Sequence, residues 1–438
     1  MLLMTEHGLA QMGPPPEFAA TMNLGIYIQV PFCQTKCTYC NFHTGVFAKS
    51  LYEPYVDAIC RELADRGALH RTAGLACPDS PRSGHGFRPA DESAHPTRPL
   101  ARQGAYEDAW SSAVVDTVYI GGGTPSLLDS AEIARILDTL RAEFICRLEE
   151  VTLEADPETI SAEKAAAWFA AGVNRISMGV QSFNDTELAA AGRAHRRADV
   201  FNASRLLREA GFAKISFDLI AGLPHQTAAS WADSLEHLLR LRPEHASVYL
   251  MEIDEGSRLG REVLTGGSRY SASALPDDDA MASFYESGCA RLAAEGYEHY
   301  EISNWGLPGF RSRHNLKYWR REPYLGIGAG AHSYDGRERW ANAHDPAAYV
   351  AAIKKGVSPA EQREVVTPQQ ALEEELFLGL RQLEGIDLAR IEKQYNAGLR
   401  SRVEALRQAG LVEFDGTRLR LSPARLTVAN EVFVELLG

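Results

Sequence analysis

Cysteine is scarce in this chain: seven residues among 438, at positions 33, 37, 40, 60, 77, 146 and 289. An odd, sparse set in a long sequence is not a disulfide framework, and a reducing cytoplasm is the default setting for it. Also missing is any uninterrupted apolar run of about 18 residues, so no membrane span is expected. Basic residues fall short of acidic ones, 45 against 58, and leave a formal net charge of −13. That balance argues against a nucleic-acid surface, which needs a basic face. It still permits a local basic pocket for a small anionic ligand. Met1 to Asn23 carry no lysine or arginine and no continuous apolar segment, so no signal peptide is read there.

What is present suits a globular protein. Hydrophobic residues make up 45%, enough for a sizeable core. The length gives a prior of two or three domains. Residues 1–22 hold Pro14-Pro15-Pro16 and little periodicity; they read as a disordered tail, or as the product of an upstream start with Met22 as the true first residue. Leu24 to Val30 reads as a buried strand, and Leu51 to Arg66 as a helix. Residues 67–112 lose all pattern and scatter Pro78, Pro81, Pro89, Pro96 and Pro99 among polar residues. That is too long for an ordinary connection, so a mobile insertion is expected. His70, His85 and His95 within it repeat no ligand spacing and read as part of a solvated loop.

Beyond the insertion, strands and helices alternate. Strands are expected at Val114–Ile120, Glu150–Glu154, Arg175–Val180, Lys214–Ile220 and Ala246–Met251. Helices are expected at Ser130–Phe144, Ser161–Ala171, Asp199–Ala210, Gln226–Leu241 and Pro276–Glu295. With the first strand this makes six βα units, hence a parallel sheet covered by helices. A partial (β/α)6 TIM-like barrel over residues 23–300 is expected, with an open doubly wound sheet as the alternative. Either way ligands gather at the carboxyl ends of the strands. Residues 301–364 look irregular, an aromatic- and glycine-rich connecting segment. Residues 365–438 look like three helices, a hairpin around Asp415-Gly416 and a last helix, a small winged-helix-like domain. The acidic balance favours packing or partner docking over DNA binding for that module.

The feature that demands chemistry is Pro31-Phe32-Cys33-Gln34-Thr35-Lys36-Cys37-Thr38-Tyr39-Cys40, a C-x3-C-x2-C spacing directly after the first strand. A structural zinc takes four ligands; no second cysteine pair lies near, and only His43 offers itself as a fourth. Three thiolates on a four-iron cube would leave one iron open, as a reactive centre requires. Buried core cysteines are the plain alternative, but packing does not demand this spacing.

This motif resembles that of the radical S-adenosylmethionine (SAM) superfamily. Ile26-Tyr27-Ile28-Gln29-Val30-Pro31-Phe32 is similar to one branch of it, the oxygen-independent coproporphyrinogen III oxidase family. The blocks Gly121-Gly122-Gly123-Thr124-Pro125-Ser126, Asn174 to Phe183, Asp218 to Pro224, Tyr300 to Asn304 and His314 to Trp319 agree. The resemblance runs from about Leu24 to the C-terminus, outside the insertion. It implies a [4Fe-4S] cluster on Cys33, Cys37 and Cys40, with the open iron bound by the amino and carboxylate groups of SAM. One electron from the reduced cluster would then cleave SAM to methionine and a 5′-deoxyadenosyl radical. By motif, SAM contacts carry over to Tyr27, Tyr39, Gly122, Gly123, Thr124, Glu154, Gln181, Arg193 and Asp218. Glu154 would accept from the SAM ammonium or a ribose hydroxyl, Arg193 would pair with the carboxylate, and Asp218 would take ribose hydroxyls.

Within the family the sequence departs from the true oxidases. These resemble C-x3-C-x2-C-x-C; here Phe42 holds the last position. They also carry a longer N-terminal arm. Phe42 and His314-Asn315-Leu316-Lys317-Tyr318-Trp319 resemble the HemW-type haem-chaperone branch instead, whose members are thought to bind haem and pass it to acceptors such as respiratory enzymes. On that resemblance His314 is the candidate haem contact, with Tyr318 and Trp319 packing on the porphyrin. Gln29 departs from the histidine usual there. The resemblance also implies an electron donor of flavodoxin or ferredoxin type and, at most, transient contact with membrane partners. The alternatives are an oxidase converting coproporphyrinogen III to protoporphyrinogen IX, and a protein whose metal serves only the fold.

Overall fold

The computed structural model describes residues 23–74 and 113–437. The expected tail at 1–22 and all but the start of the expected insertion lie outside these residues. That start is not aperiodic: the helix after the first strand spans Tyr52–Gly74, so helical structure continues past Gly67.

Six parallel strands form the body of the molecule: β1 (Asn23–Val30), β2 (Val114–Gly122), β3 (Cys146–Ala155), β4 (Arg175–Gln181), β5 (Ile215–Ala221) and β6 (His245–Leu250). They lie side by side in sequence order, with helices in the crossovers, as a partial (β/α)6 barrel. Strand alternation explains the packing. In β1, Leu24, Ile26, Ile28 and Val30 are all fully buried. The same face continues as Val118 and Ile120, Val151 and Leu153, Ile176 and Met178, Phe217 and Leu219, then Ala246 and Val248, all in one core. The intervening residues point the other way. Register sets Tyr27 beside Tyr119, Tyr119 beside Thr152, Glu154 beside Ser177 and Asp218 beside Ser247. One face of each strand therefore feeds the core, and the other delivers polar side chains to the carboxyl end of the sheet.

The segment expected to be irregular, 301–364, instead completes the sheet. After β7 (Glu298–Glu301) come β8 (Asn304–Gly306), β9 (Tyr324–Ile327), β10 (His332–Tyr334), β11 (Glu338–Asn342) and β12 (Ala360–Val365). β8 and β7 extend the β6 edge, while β9 pairs parallel with β1 and leads out to β12. These strands are short, three to six residues each, so no period shows. Gly326 in β9 is required by packing: a Cβ there would meet the His332 carbonyl oxygen at 2.1 Å. A helix at Arg258–Leu264, after β6, was also not expected from the sequence.

The C-terminal residues form helices at Pro368–Arg381, Leu388–Tyr395, Arg400–Gln408 and Ala429–Leu437. They enclose a small sheet of β13 (Ile386–Asp387), β14 (Val412–Phe414) and β15 (Arg418–Leu421), a winged-helix-like arrangement. Thr367 and Gln370 form a capping box and Pro368 takes the first helical turn, a combination that fixes a helix start. Ion pairs dock this domain on the barrel. Arg381 reaches the fully buried Glu301 at 2.6 Å, and Glu374 accepts from Arg321 at 3.0 Å and Arg339 at 2.7 Å.

Glu62 locks the Tyr52–Gly74 helix onto the β9–β11 side of the sheet. It is fully buried and accepts from the Gly328 N–H at 3.0 Å, Asn342 Nδ2 at 3.0 Å and the Tyr349 hydroxyl at 2.7 Å. Glu62→Ala strands these donors in the core and should cost about 3 kcal/mol. Denaturant unfolding checks this, and a loss below about 1 kcal/mol would contradict the assignment.

Candidate functional site

The cysteine loop leaves β1 through Phe32, which is fully buried and stacks on Tyr52 with centroids 4.0 Å apart. Backbone bonds then fix the loop from three sides. Cys33 N–H donates to the Gly45 carbonyl at 2.8 Å, and Thr38 N–H to the Ala191 carbonyl at 3.0 Å. Leu259 N–H, from the helix Arg258–Leu264, donates to the Thr38 carbonyl at 2.8 Å. From the end of β2, Gly123 N–H donates to the Val30 carbonyl at 2.8 Å and Thr124 N–H to the Phe32 carbonyl at 2.7 Å. A Cβ on Gly123 would lie 2.5 Å from the Phe32 carbonyl oxygen and 3.0 Å from Cys33 Sγ. The glycine is thus what lets β2 press against the cysteine loop.

Cys33, Cys37 and Cys40 are free, part-exposed thiols lining one cavity of about 410 Å3 at the carboxyl end of the sheet. Burial pushes the Cys33 thiol up to about 11; a hydrogen bond with Thr44 opposes this, and Cys40 and Cys37 add to it. Ligation must therefore displace a proton. Among the described residues no three His, Cys, Asp or Glu side chains converge as a single metal ion would need. A cube of four irons spreads its ligands over separate corners. The three thiols and the open wall fit a cluster.

The polar residues around that cavity come from the carboxyl ends of the strands. Glu154 Oε1 accepts from the Tyr119 hydroxyl at 2.8 Å and Oε2 from the Gly122 N–H at 2.9 Å. Burial raises its pKa to about 7; those two hydrogen bonds oppose the rise, and Asp218 and Asp156 reinforce it. Asp218 accepts from Ser177 Oγ at 3.2 Å, and burial raises its pKa also. Arg193 is nearly enclosed: Nη2 donates to Asp156 Oδ1 and to the Gly179 carbonyl at 2.8 Å, and Nη1 lies 3.5 Å from Cys37 Sγ. Burial disfavours its charge, but Asp156, Tyr39 and Cys37 hold the pKa well above the usual value. Its Nε is buried without a hydrogen-bond partner. Gln181 closes β4 with φ of 63°, a left-handed backbone that a non-glycine residue adopts at a cost and that clusters at functional sites.

Of the expected cofactor contacts, Tyr39, Gly122, Gly123, Thr124, Glu154, Gln181, Arg193 and Asp218 line this cavity with the three cysteines. Asp156 joins them and was not foreseen. It pairs with Arg193 and accepts from Thr124 Oγ1 at 3.0 Å. Its signal in the sequence is an acid two positions past Glu154, just beyond the end of β3 and before Pro157.

Tyr27 lies elsewhere. It lines a second cavity of about 490 Å3 with Gln29, His43, Tyr318, Tyr324 and His332, and this cavity shares Asn41, Phe42, Gly122 and Glu154 with the first. His314 lines neither. It is 1% exposed, with Nδ1 at 3.0 Å from Thr117 Oγ1 and Nε2 at 2.9 Å from the Tyr318 hydroxyl. Burial, reinforced by Lys317, lowers its pKa to about 3. Both ring nitrogens of this candidate haem contact are thus engaged within the protein, one by the cavity-lining Tyr318. Tyr318 does reach the cavity, whereas Trp319 packs near Tyr300, with centroids 6.0 Å apart, outside both linings.

Comparison with known proteins agrees with this construction. Residues 96–238 match the radical SAM superfamily and residues 366–424 match the HemN C-terminal domain. Heme chaperone HemW of Bacillus subtilis is 32% identical over 94% of this chain and 98% of its own length. Heme chaperone HemW of Mycobacterium tuberculosis H37Rv is 34% identical over 98% and 97%. The solved structure of the coproporphyrinogen III oxidase HemN from Escherichia coli, at 21% identity, covers 95% of this chain and 90% of that one with a TM-score of 0.74, a likeness of fold. With identity of this level across nearly the whole of each relative, the chain belongs to the HemW family of the radical SAM superfamily.

Proposed function

We propose that this chain holds a [4Fe-4S] cluster on Cys33, Cys37 and Cys40, binds SAM beside it, and carries haem to acceptor proteins such as respiratory enzymes. The observation that carries this reading is the meeting of three thiols and strand-end polar groups in one cavity, which shares Asn41, Phe42, Gly122 and Glu154 with a second, tyrosine-lined one. The HemW relatives supply the haem part of the reading.

When bound, the cluster supplies the electron for reductive cleavage of SAM. The chain's own residues prepare that site. Cys33, Cys37 and Cys40 would hold the cluster, and with three thiols for four irons one position would stay open for the SAM amino and carboxylate groups. Arg193, oriented by Asp156 and the Gly179 carbonyl, lies beside Cys37 and sets its positive charge near the SAM carboxylate. Glu154, fixed by Tyr119 and Gly122, accepts from the ammonium or a ribose hydroxyl, and Asp218 accepts from ribose. An electron donor of flavodoxin or ferredoxin type completes the scheme. Among the described residues no helix is long and apolar enough to cross a membrane, so haem would pass to membrane enzymes by transient contact. The oxidase reading is disfavoured by Phe42, 67% exposed at the mouth of both cavities, where the resemblance puts the oxidases' fourth cysteine.

Anaerobically reconstituted protein, assayed separately for haem binding and porphyrinogen turnover, should bind haem and leave coproporphyrinogen III unchanged. Turnover without haem binding would sink the chaperone reading. Replacing Cys33, Cys37 and Cys40 together by alanine should abolish both cluster absorbance and SAM cleavage, and cleavage persisting in that variant contradicts the assignment. Glu154 gives a pH test. Its raised pKa means the ionised acceptor forms only as pH climbs through about 7, so SAM affinity should rise across that range. Glu154→Gln should flatten the profile and weaken binding roughly tenfold; an unchanged profile in the variant excludes Glu154 as the titrating contact.

A further inference from the structure

Two buried polar atoms near the cysteine loop face each other, neither with a hydrogen-bond partner. They are Glu158 Oε2 and His195 Nδ1, 3.7 Å apart. Glu158 belongs to the turn Pro157–Thr159 after β3 and lines the cavity of the three cysteines. His195 lies between the helices Asp185–Ala190 and Arg197–Glu209 and is buried. The scheme above uses neither residue.

The other ring nitrogen fixes the tautomer of His195. Nε2 lies 3.0 Å from the Val180 carbonyl oxygen, which only accepts, so Nε2 carries the hydrogen. In the neutral ring Nδ1 is then a bare acceptor. An ionised Glu158 would set a second acceptor against it inside the protein. The gap is too short for a water that donates to both at ordinary hydrogen-bond lengths. One proton held between the two atoms removes the conflict, and a small side-chain movement closes the gap to a hydrogen bond. Burial pushes the Glu158 pKa up to about 7, and Asp156 adds to the rise. Burial, with Arg193 next, brings His195 down to about 4. The proton therefore rests on Glu158, and the pair titrates as one unit.

Both members feel the charges beside Cys37. Asp156 and Arg193 act on each, as does Asp199 from the first turn of the helix Arg197–Glu209. Arg193 Nη1 in turn lies 3.5 Å from Cys37 Sγ. A negative charge arriving near Cys37 makes the Glu158 proton harder to lose. By linkage, the bound proton makes that charge easier to accept.

We propose that Glu158 and His195 form a proton-holding pair which couples electron uptake at the three-cysteine site to proton uptake by Glu158. The inference rests on the cluster reading and adds a proton to its electron step. One electron comes from a low-potential donor of flavodoxin or ferredoxin type, and one proton comes from solvent through the cavity. The Glu158 carboxylate becomes the acid, its O–H donates to His195 Nδ1, and no other bond changes. Both are positioning residues, acting on the site through Arg193.

The test is a potentiometric titration of the anaerobically reconstituted full-length chain without SAM, read by electron paramagnetic resonance between roughly pH 6 and 9. The reduction potential should be flat at acid pH and fall as pH rises, with the bend at or above about 7. Glu158→Gln, a neutral stand-in for the acid, should stay at the acid-side potential throughout. His195→Gln should move the bend to lower pH, because the acid loses its acceptor. Glu154→Gln should keep the bend. In the cluster-free chain, infrared difference spectra should show a carboxylic acid band that vanishes as pH rises through about 7 and is missing from Glu158→Gln. A flat potential in the unaltered chain overturns the proposal, as does a bend that survives in Glu158→Gln or disappears in Glu154→Gln. Should Glu158→Gln fail to load a cluster, His195→Gln decides, and an unmoved bend overturns the pair. A four-iron signal with a flat potential leaves the cluster reading standing. No such signal sinks the cluster reading, and absence of the infrared band then overturns the pair on its own evidence.

Discussion

Everything at the site depends on the backbone junction between the end of β2 and the cysteine loop. Gly123 and Thr124 donate to the carbonyls of Val30 and Phe32, so the two segments approach as closely as two strands in a sheet. Only a residue without a Cβ permits that approach, as the 2.5 Å contact from a built Cβ shows. The junction holds Cys33 against the sheet, while Thr38, bonded to Ala191 and Leu259, holds the far end of the motif. Three thiols on an otherwise exposed loop become a fixed tripod.

The sheet does the rest through its two-residue period. Because alternate residues of each strand enter the core, the others are committed to the opposite face whatever their chemistry. Glu154, Ser177 and Asp218 reach one cavity from the successive strands β3, β4 and β5 through their register. The cost is burial of charge, visible in the raised pKa of Glu154 and Asp218. Asp156 and Arg193 resolve part of that cost by pairing beside Cys37. The site is thus electrostatically loaded, a property that perturbed carboxylates in a cleft often share with binding function.

Much of this was legible in the sequence, for identifiable reasons. The six strands announce themselves because Leu24-x-Ile26-x-Ile28-x-Val30 and its counterparts keep their period over whole elements. The cysteine spacing and the glycine run are local features, so they survive without a structure. The strands β8 to β12 stayed hidden because each is three to six residues long, too short for a period to show. Asp156 was missed because its role depends on Arg193, 37 residues away. The depth of His314 is not legible in sequence: it lies on the same sheet face as Tyr27 and Tyr119 but bonds to Thr117, farther from the carboxyl ends of the strands. The second cavity was invisible as well, being assembled from β1, the cysteine loop, the helix Arg313–Trp319 and β9–β10.

The account's central claim is that three cysteines leave one iron of a cluster open to SAM in the cavity beside Glu154 and Arg193. The most direct measurement is electron paramagnetic resonance of the reduced, reconstituted protein with and without SAM labelled with 15N at its amino group. The account predicts a single four-iron signal that shifts on adding SAM and acquires a hyperfine coupling to the labelled nitrogen. A signal indifferent to SAM, with no such coupling, would contradict it.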